Sequence, residues 1–256
     1  MHTSNTKNNN QRLGIDIGGS GIKGAMVDVD TGNLCSERIR MKTPRPATPE
    51  AFRQTILTIA TSFKYEGPVG VAFPAVIQRG IVHTAVNIDQ SWVGQNAAFM
   101  FSKYLNAPVS VLNDADAAGL AEMRFGRGSD VPGTVIMVTI GTGLGTALFY
   151  DGQLVPNTEF GQMYIKEKLA ESWVSDKIRK SKDLSWKKWA KRLDKYLQYL
   201  EDLIYPELFI IGGGASKKMD KFQKHFKHVQ TDVVPAYLEN HAGIIGAAVE
   251  TVRETP

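Results

Sequence analysis

Leu13-Gly14-Ile15-Asp16-Ile17-Gly18-Gly19-Ser20-Gly21-Ile22-Lys23-Gly24-Ala25-Met26-Val27-Asp28-Val29-Asp30-Thr31-Gly32 decides how this chain is read. Residues 13–17 are apolar except for Asp16, the pattern of a buried strand. Residues 18–21 form a glycine-rich turn, residues 25–29 a second apolar run, and residues 28–32 turn the chain again. The same order returns over residues 135–152. There a strand over 134–140 meets Gly141-Thr142-Gly143-Leu144-Gly145, a strand over 146–150 and Asp151-Gly152. One such unit in each half predicts two similar α/β domains, with the glycine turns facing a shared cleft.

Residues 19–24 fit the dinucleotide pattern G-x-G-x-x-G, but that fingerprint needs a helix after the turn. A strand follows here, so the Rossmann reading is set aside. No Gly-Lys-Ser or Gly-Lys-Thr is present, which excludes a Walker A loop. A glycine hairpin can still cradle phosphate, because bare N–H groups approach oxygens closely when no Cβ intervenes. Tight hairpins alone would also use glycine. Two turns in matched positions, with Gly212-Gly213-Gly214 after a third strand, favour phosphate.

Outward from these turns, the pattern predicts a third strand over 34–41 and a helix over 49–64, capped by Thr48 with Pro49 at its first position. Strands over 69–73 and 109–112, helices over 96–105 and 114–125, a long helix over 186–204, a strand over 208–211 and a final helix over 242–253 complete the outline. The 256 residues are 43% hydrophobic and 22% charged, enough for a large core. No apolar run reaches the roughly 18 residues of a membrane span, so no membrane partner is expected. Cys35 is the single cysteine, which excludes an intrachain disulfide and a cysteine zinc cluster. His225 and His228 have a metal-like spacing that is more often chance on a surface. Residues 1–12 are polar, unlike a signal peptide. They are expected to be a disordered tail, and the protein to be cytoplasmic.

Thirty Lys and Arg against 26 Asp and Glu give a net charge of +4. The excess is local. Residues 166–195 carry 11 basic and 5 acidic side chains, a difference of +6, so the remainder is −2. A solvated helix face is the usual fate of such a run; an anionic partner is the alternative.

Residues 13–23 resemble the first phosphate motif of the actin-like sugar kinases. Asn113-Asp114-Ala115-Asp116-Ala117-Ala118 resembles the catalytic segment of the ROK sugar-kinase family, and Gly141-Thr142-Gly143-Leu144-Gly145 its second phosphate motif. Pro156-Asn157-Thr158-Glu159-Phe160-Gly161 is similar to its sugar-binding segment. Residues 87–92, 154–161, 186–191 and 208–214 resemble the branch that uses polyphosphate to phosphorylate glucose. The resemblance implies an actin-like (RNase H-like) duplicated α/β fold of two domains with a cleft between them. The smaller domain would hold 13–112 and the C-terminal helix 242–254, the larger 113–241. It implies a Mg²⁺-dependent kinase acting on the 6-hydroxyl of glucose, with polyphosphate as donor, ATP as a further donor, mannose as a further sugar, and a homodimer. The family's zinc cluster cannot be rebuilt from one cysteine, so no zinc is expected.

The same resemblance assigns roles. Asp114 is the expected catalytic base, since phosphoryl transfer needs a group to take the hydroxyl proton; helix capping is its structural alternative. Asp116 is expected to be structural. Asn87, Asn113, Asp114, Glu159 and Gln162 are the expected sugar ligands, amides and carboxylates suited to hydroxyls that both donate and accept. Gly18, Gly19, Ser20, Gly21, Lys23, Thr142 and Gly143 are expected on phosphate, and Gly213 and Gly214 beside a nucleotide. Lys187, Lys188 and Lys191 would form a polyphosphate track. Asp16 would meet Mg²⁺ through water. Gln162 stands where the family usually has His, Tyr164 where the polyphosphate users commonly have Glu, and Ala75 follows Pro74 where glycine is usual. Two other readings stay open: an ATP-only hexose kinase, and a sugar-binding relative weakened in catalysis. ROK relatives also include repressors with a helix-turn-helix before the sugar domain; the 12 polar residues before Leu13 are not expected to form one, so no nucleic-acid partner is expected.

Overall fold

The computed structural model describes residues 10–165 and 167–253. The strands are β1 (Gln11–Ile17), β2 (Ile22–Asp28), β3 (Ile39–Met41), β4 (Val69–Phe73), β5 (Ile77–Gln78), β6 (Ile81–Val82), β7 (Val109–Asn113), β8 (Thr134–Ile140), β9 (Leu144–Tyr150), β10 (Gln153–Val155), β11 (Tyr164–Ile165), β12 (Lys168–Leu169), β13 (Leu208–Gly212) and β14 (Val233–Pro235). The helices are α1 (Pro49–Ser62), α2 (Ala97–Leu105), α3 (Asp114–Phe125), α4 (Glu171–Val174), α5 (Asp176–Ser181), α6 (Trp186–Ile204), α7 (Met219–Phe222) and α8 (Ala242–Glu250). Two compact units result. Among the described residues, one holds 10–117 and 243–253, the other Ala118–Ala242, so the division falls inside α3.

Each unit contains a five-stranded sheet, ordered β3-β2-β1-β4-β7 in the first and β10-β9-β8-β13-β14 in the second. In both, two antiparallel hairpin pairings are followed by two parallel ones. The repeat read in the sequence is thus a repeat of topology, the actin-like duplicated fold. The antiparallel strand after each glycine turn also disposes of the Rossmann alternative.

Several boundaries move. Arg12 and Gln11, assigned by sequence to the tail, extend β1 and pair with Val27 and Asp28; residues 1–9 lie outside the described residues. β2 starts at Ile22 and β9 at Leu144, because the ladder closes directly onto each turn. The third strand shrinks from 34–41 to 39–41. The Ser36 hydroxyl takes the Met26 N–H at 3.0 Å, replacing a ladder bond and interrupting the strand. The last helix ends at Glu250 rather than near 253.

Packing follows from the patterns. Thr48 Oγ accepts the Ala51 N–H, and α1 buries Phe52, Thr55, Ile56, Ile59 and Ala60 on one face. Phe52, Phe73, Trp92 and Phe101 form an aromatic cluster in the first core, and the Trp92 indole donates to Ala47 O at 3.0 Å. In the second core α6 places Trp189, Leu193, Tyr196, Leu197 and Leu200 against β8 and β13. Each fully buried side chain of this kind contributes about 1.5–3 kcal/mol. The chain returns to the first sheet through α8, whose backbone is so close that a Cβ on Gly14 would lie 2.0 Å from Ile244 O and one on Gly70 1.7 Å from Ala247 O. Only glycine permits that approach. No described helix is long and apolar enough to cross a membrane.

Candidate active site

Ligands of α/β sheets meet the carboxyl ends of parallel strands. In the first unit β1, β4 and β7 run parallel, with Leu13 opposite Val69 and Phe73 opposite Asn113. Their carboxyl ends therefore deliver the turn at residues 18–21, the Pro74-Ala75 loop and Asn113-Asp114 to one edge. In the second unit β8 and β13 are parallel, with Gly212 opposite Thr139. That edge carries Gly141 to Gly143 and Gly212 to Gly214.

Asn113 caps α3. Its Oδ1 accepts the N–H groups of Ala115 at 2.8 Å and Asp116 at 3.2 Å, and its Nδ2 donates to Ala75 O at 3.1 Å. Asn113 therefore caps the helix start itself. Asp114 is exposed at the first turn of the helix. Asn113, by contrast, is 7% exposed and has one amide hydrogen left for a sugar, a smaller part than a sugar ligand was expected to play. Asp116 is 1% exposed and sits in the interior. Ala75 is buried in the first core, without a positive φ, so its methyl group packs inward. Asn87 is exposed in the loop between β6 and the short helix Gln90–Trp92.

Asp16 and Lys23 face each other across the β1–β2 pair and form an ion pair at 3.0 Å. Lys23, expected on phosphate, is thus directed at Asp16. Among the described residues no group of three or more His, Cys, Asp or Glu could hold a metal ion. His225 ends a short helix, and the His228 N–H is taken by Asp194.

In the second unit the segment around Glu159 is bound to the second turn. A Cβ on Gly161 would lie 2.1 Å from Leu144 O. The Thr146 hydroxyl donates to Thr158 O and accepts the Phe160 N–H at 3.1 Å. Glu159 is half-buried. Burial raises its carboxyl above the usual range, and the charge of Glu171 adds to that. The Tyr196 hydroxyl is fully buried with no hydrogen-bond partner among the described residues, and burial followed by the Glu159 charge drives its pKa up. Gln162 is exposed, as is Tyr164, at 71%.

The raised carboxyl of Glu159 gives a pH prediction. Its folded pKa exceeds its unfolded one, so its contribution to stability is present in acid and lost as pH rises through the folded value. Glu159→Gln is expected to melt above wild type at pH 7, with the difference fading towards about pH 4. Equal differences at the two pH values would contradict this origin.

Three residues at the turns carry no signal in the sequence. The Glu171 carboxylate accepts the Leu144 N–H at 2.9 Å, and a Cβ on Gly143 would lie 2.6 Å from it. An anion therefore already stands beside Gly143 and Leu144. The first turn has guanidinium groups instead. Arg45 donates to Gly19 O at 3.0 Å and Arg40 to Ser20 O at 3.2 Å. None of these contacts is local in sequence, since the partners lie 20 to 27 positions apart.

The basic segment divides by structure. Asp176 holds Arg179 and Lys180, and Arg192 donates to Trp173 O. Lys187, Lys188 and Lys191 are exposed on α6, and no ion pair among the described residues engages them. Lys166 lies outside the described residues.

Comparison with known proteins places these features. The polyphosphate glucokinase of Mycobacterium tuberculosis (strain CDC 1551 / Oshkosh) is 47% identical over 244 residues, covering 95% of this chain and 92% of that protein. The crystal structure of the inorganic polyphosphate/ATP-glucomannokinase from Arthrobacter sp. strain KM superposes with a TM-score of 0.91 at 45% identity, over 95% of this chain and 99% of that one. A ROK family glucokinase from Streptomyces griseus shares the fold, with a TM-score of 0.82 at 23% identity, over 95% of this chain and 100% of that one. The family model described as the ROK family matches residues 12–170. With its duplicated sheets, its glycine turns at the strand ends and relatives alike along nearly its whole length, this chain belongs to the ROK family.

Proposed function

We propose that the protein transfers a phosphoryl group from inorganic polyphosphate to the 6-hydroxyl of glucose, with ATP as a second donor and mannose as a second sugar. The observation that carries the donor site is a set of glycines that the fold itself does not require. At Gly19, Gly141 and Gly214 a Cβ would meet nothing within 4 Å, and none of the three has a positive φ. Gly213 beside them is different: its φ is +72° and a Cβ would lie 2.5 Å from Ile140 O. One glycine in each of the three turns is thus accounted for by neither backbone nor packing, and close approach of a ligand accounts for all three.

In this reading Asp114 takes the proton of the sugar 6-hydroxyl as its oxygen bonds to the terminal phosphorus. The P–O bond to the rest of the donor breaks, and the shortened donor leaves with the electron pair. Asn87, Glu159 and Gln162 orient the sugar, with Asn113 supplying its remaining amide hydrogen. The turn at residues 18–21, with Thr142 and Gly143, holds donor phosphates, and Gly213 and Gly214 give room for the adenosine of ATP. Mg²⁺ fits a donor set of one carboxylate, since it keeps several waters and is commonly bound through one or two carboxylates and substrate phosphates. Asp16 is the residue that would reach it, through water, and the ion supplies neutralisation of phosphate charge. The same reading includes a homodimer in the cytoplasm, which sedimentation and cell fractionation would test.

A coupled assay of sugar 6-phosphate over polyphosphate and ATP, with glucose and mannose, tests the proposal. Product from polyphosphate and glucose supports it; product from ATP alone favours the ATP-only kinase and overturns the donor assignment.

Lys187, Lys188 and Lys191 lie within one turn of α6 and are the proposed track for the distal chain. Replacing all three with Gln is expected to raise KM for long polyphosphate about fivefold at low salt, from exposed contacts worth about 0.3 kcal/mol each. The effect should shrink as salt screens the charges. An unchanged KM for long chains would remove the track.

A further inference from the structure

Three successive carbonyl groups of the first turn are held by one segment. The Thr43 hydroxyl donates to Gly18 O at 2.5 Å, Arg45 Nη2 to Gly19 O at 3.0 Å and Arg40 Nη2 to Ser20 O at 3.2 Å. The peptide bonds here are trans. A trans peptide is planar, and its C=O points opposite to the N–H of the next residue. Holding the carbonyls of Gly18, Gly19 and Ser20 towards residues 40–45 therefore turns the N–H groups of Gly19, Ser20 and Gly21 away from them. Among the described residues no hydrogen bond of the chain takes those three N–H groups. Successive N–H groups turned outward make a concavity for an anion.

The holding segment is set by the sheet. β3 is the edge strand and pairs Arg40 with Lys23 and Met41 with Ile22, which brings residues 40–45 alongside the turn. Thr43 is 5% exposed, so its hydroxyl is a buried prop. Arg40 and Arg45 are exposed, and no ion pair among the described residues involves them. A Cβ on Gly21 would lie 2.7 Å from Arg40 Nε, so the guanidinium lies directly across the turn. The turn thus combines three outward N–H groups with carbonyls held from the other side by one hydroxyl and two guanidinium groups.

We propose that residues 40–45 form a bracket that presets the first turn as a nest for condensed phosphate, with Arg40, Thr43 and Arg45 as its positioning residues. The bracket rests on the reading that this turn receives the donor. Its ligand class is a linear phosphoanhydride, whose terminal oxygens take the three N–H groups, while Arg40 and Arg45 act through the carbonyl groups they hold.

Calorimetric titration of the whole protein with tripolyphosphate tests it directly, alongside KM for glucose. Thr43→Val removes one prop without changing charge, and Arg45→Gln removes an exposed one; thermal melting checks that both fold. Each is expected to raise the Kd for tripolyphosphate about tenfold, as loss of an oriented donor to a charged group should, while KM for glucose stays within about twofold. Thr43→Ser, which keeps the hydroxyl, should restore binding. Tripolyphosphate affinity within about twofold of wild type in both variants, equal weakening by Val and Ser, or no binding by wild type would each overturn the bracket. A wild type that binds tripolyphosphate through these residues but phosphorylates no sugar would overturn the proposed function and leave the bracket standing.

Discussion

Asp114→Asn is expected to lower kcat by about a thousandfold, within the range that positioned general bases contribute, and to leave the KM values for sugar and donor within about threefold. Asparagine keeps the shape of the side chain and its capacity for hydrogen bonds but cannot take the hydroxyl proton. The fold gives this variant a clean interpretation. Asn113 accepts the N–H groups of Ala115 and Asp116, so the helix start keeps this cap in the variant. A carboxylate in the first turn also favours the helix dipole, and its loss costs about 0.3–1 kcal/mol. That is too little to unfold a domain and too little to explain a thousandfold loss, which corresponds to about 4 kcal/mol. Steady-state kinetics with circular dichroism decide the matter. Near-normal turnover in Asp114→Asn would remove this residue as the base.

Gly19→Ala is expected to lower kcat/KM for the donor about 10- to 100-fold and to leave the fold intact. The added Cβ meets no atom of the chain within 4 Å, and the backbone there is outside the left-handed region. Without strain, Gly→Ala stabilises by about 0.4–1 kcal/mol through the unfolded chain, so the variant should melt no lower than wild type. A methyl group at the nest would keep phosphate oxygens from one or two N–H groups, each hydrogen bond to a charged group being worth about 1.5–3 kcal/mol. Gly161→Ala is the contrast. Its Cβ would collide with Leu144 O, so it should lose stability rather than donor affinity alone. A Gly19→Ala protein with wild-type donor kinetics would show that the turn is only a hairpin.

The fold was legible where local pattern and tertiary fate coincide. Apolar runs ending in glycine marked β1 and β8, and the spacing of Phe52, Ile56 and Ile59 marked the buried face of α1. The reading failed where a side chain stood in for a backbone group. Ser36 cuts the third strand short by taking the Met26 N–H, which no periodicity reveals. The candidate site was legible through its motifs, but not in the hydrogen bonds and ion pairs its residues make. Asn113 spends most of its amide on α3 and Ala75, and Lys23 is turned to Asp16. Arg40, Thr43 and Arg45 carry no motif; their role depends on β3 pairing with β2. Glu171 likewise reaches Leu144 only through the fold, 27 positions away.

The most direct test of the central claim is ³¹P NMR of the purified protein with glucose, Mg²⁺ and polyphosphate, free of nucleotide. Glucose 6-phosphate is expected to accumulate as polyphosphate is consumed, phosphorus for phosphorus. No glucose 6-phosphate from polyphosphate, in a preparation that forms it from ATP, would contradict the account.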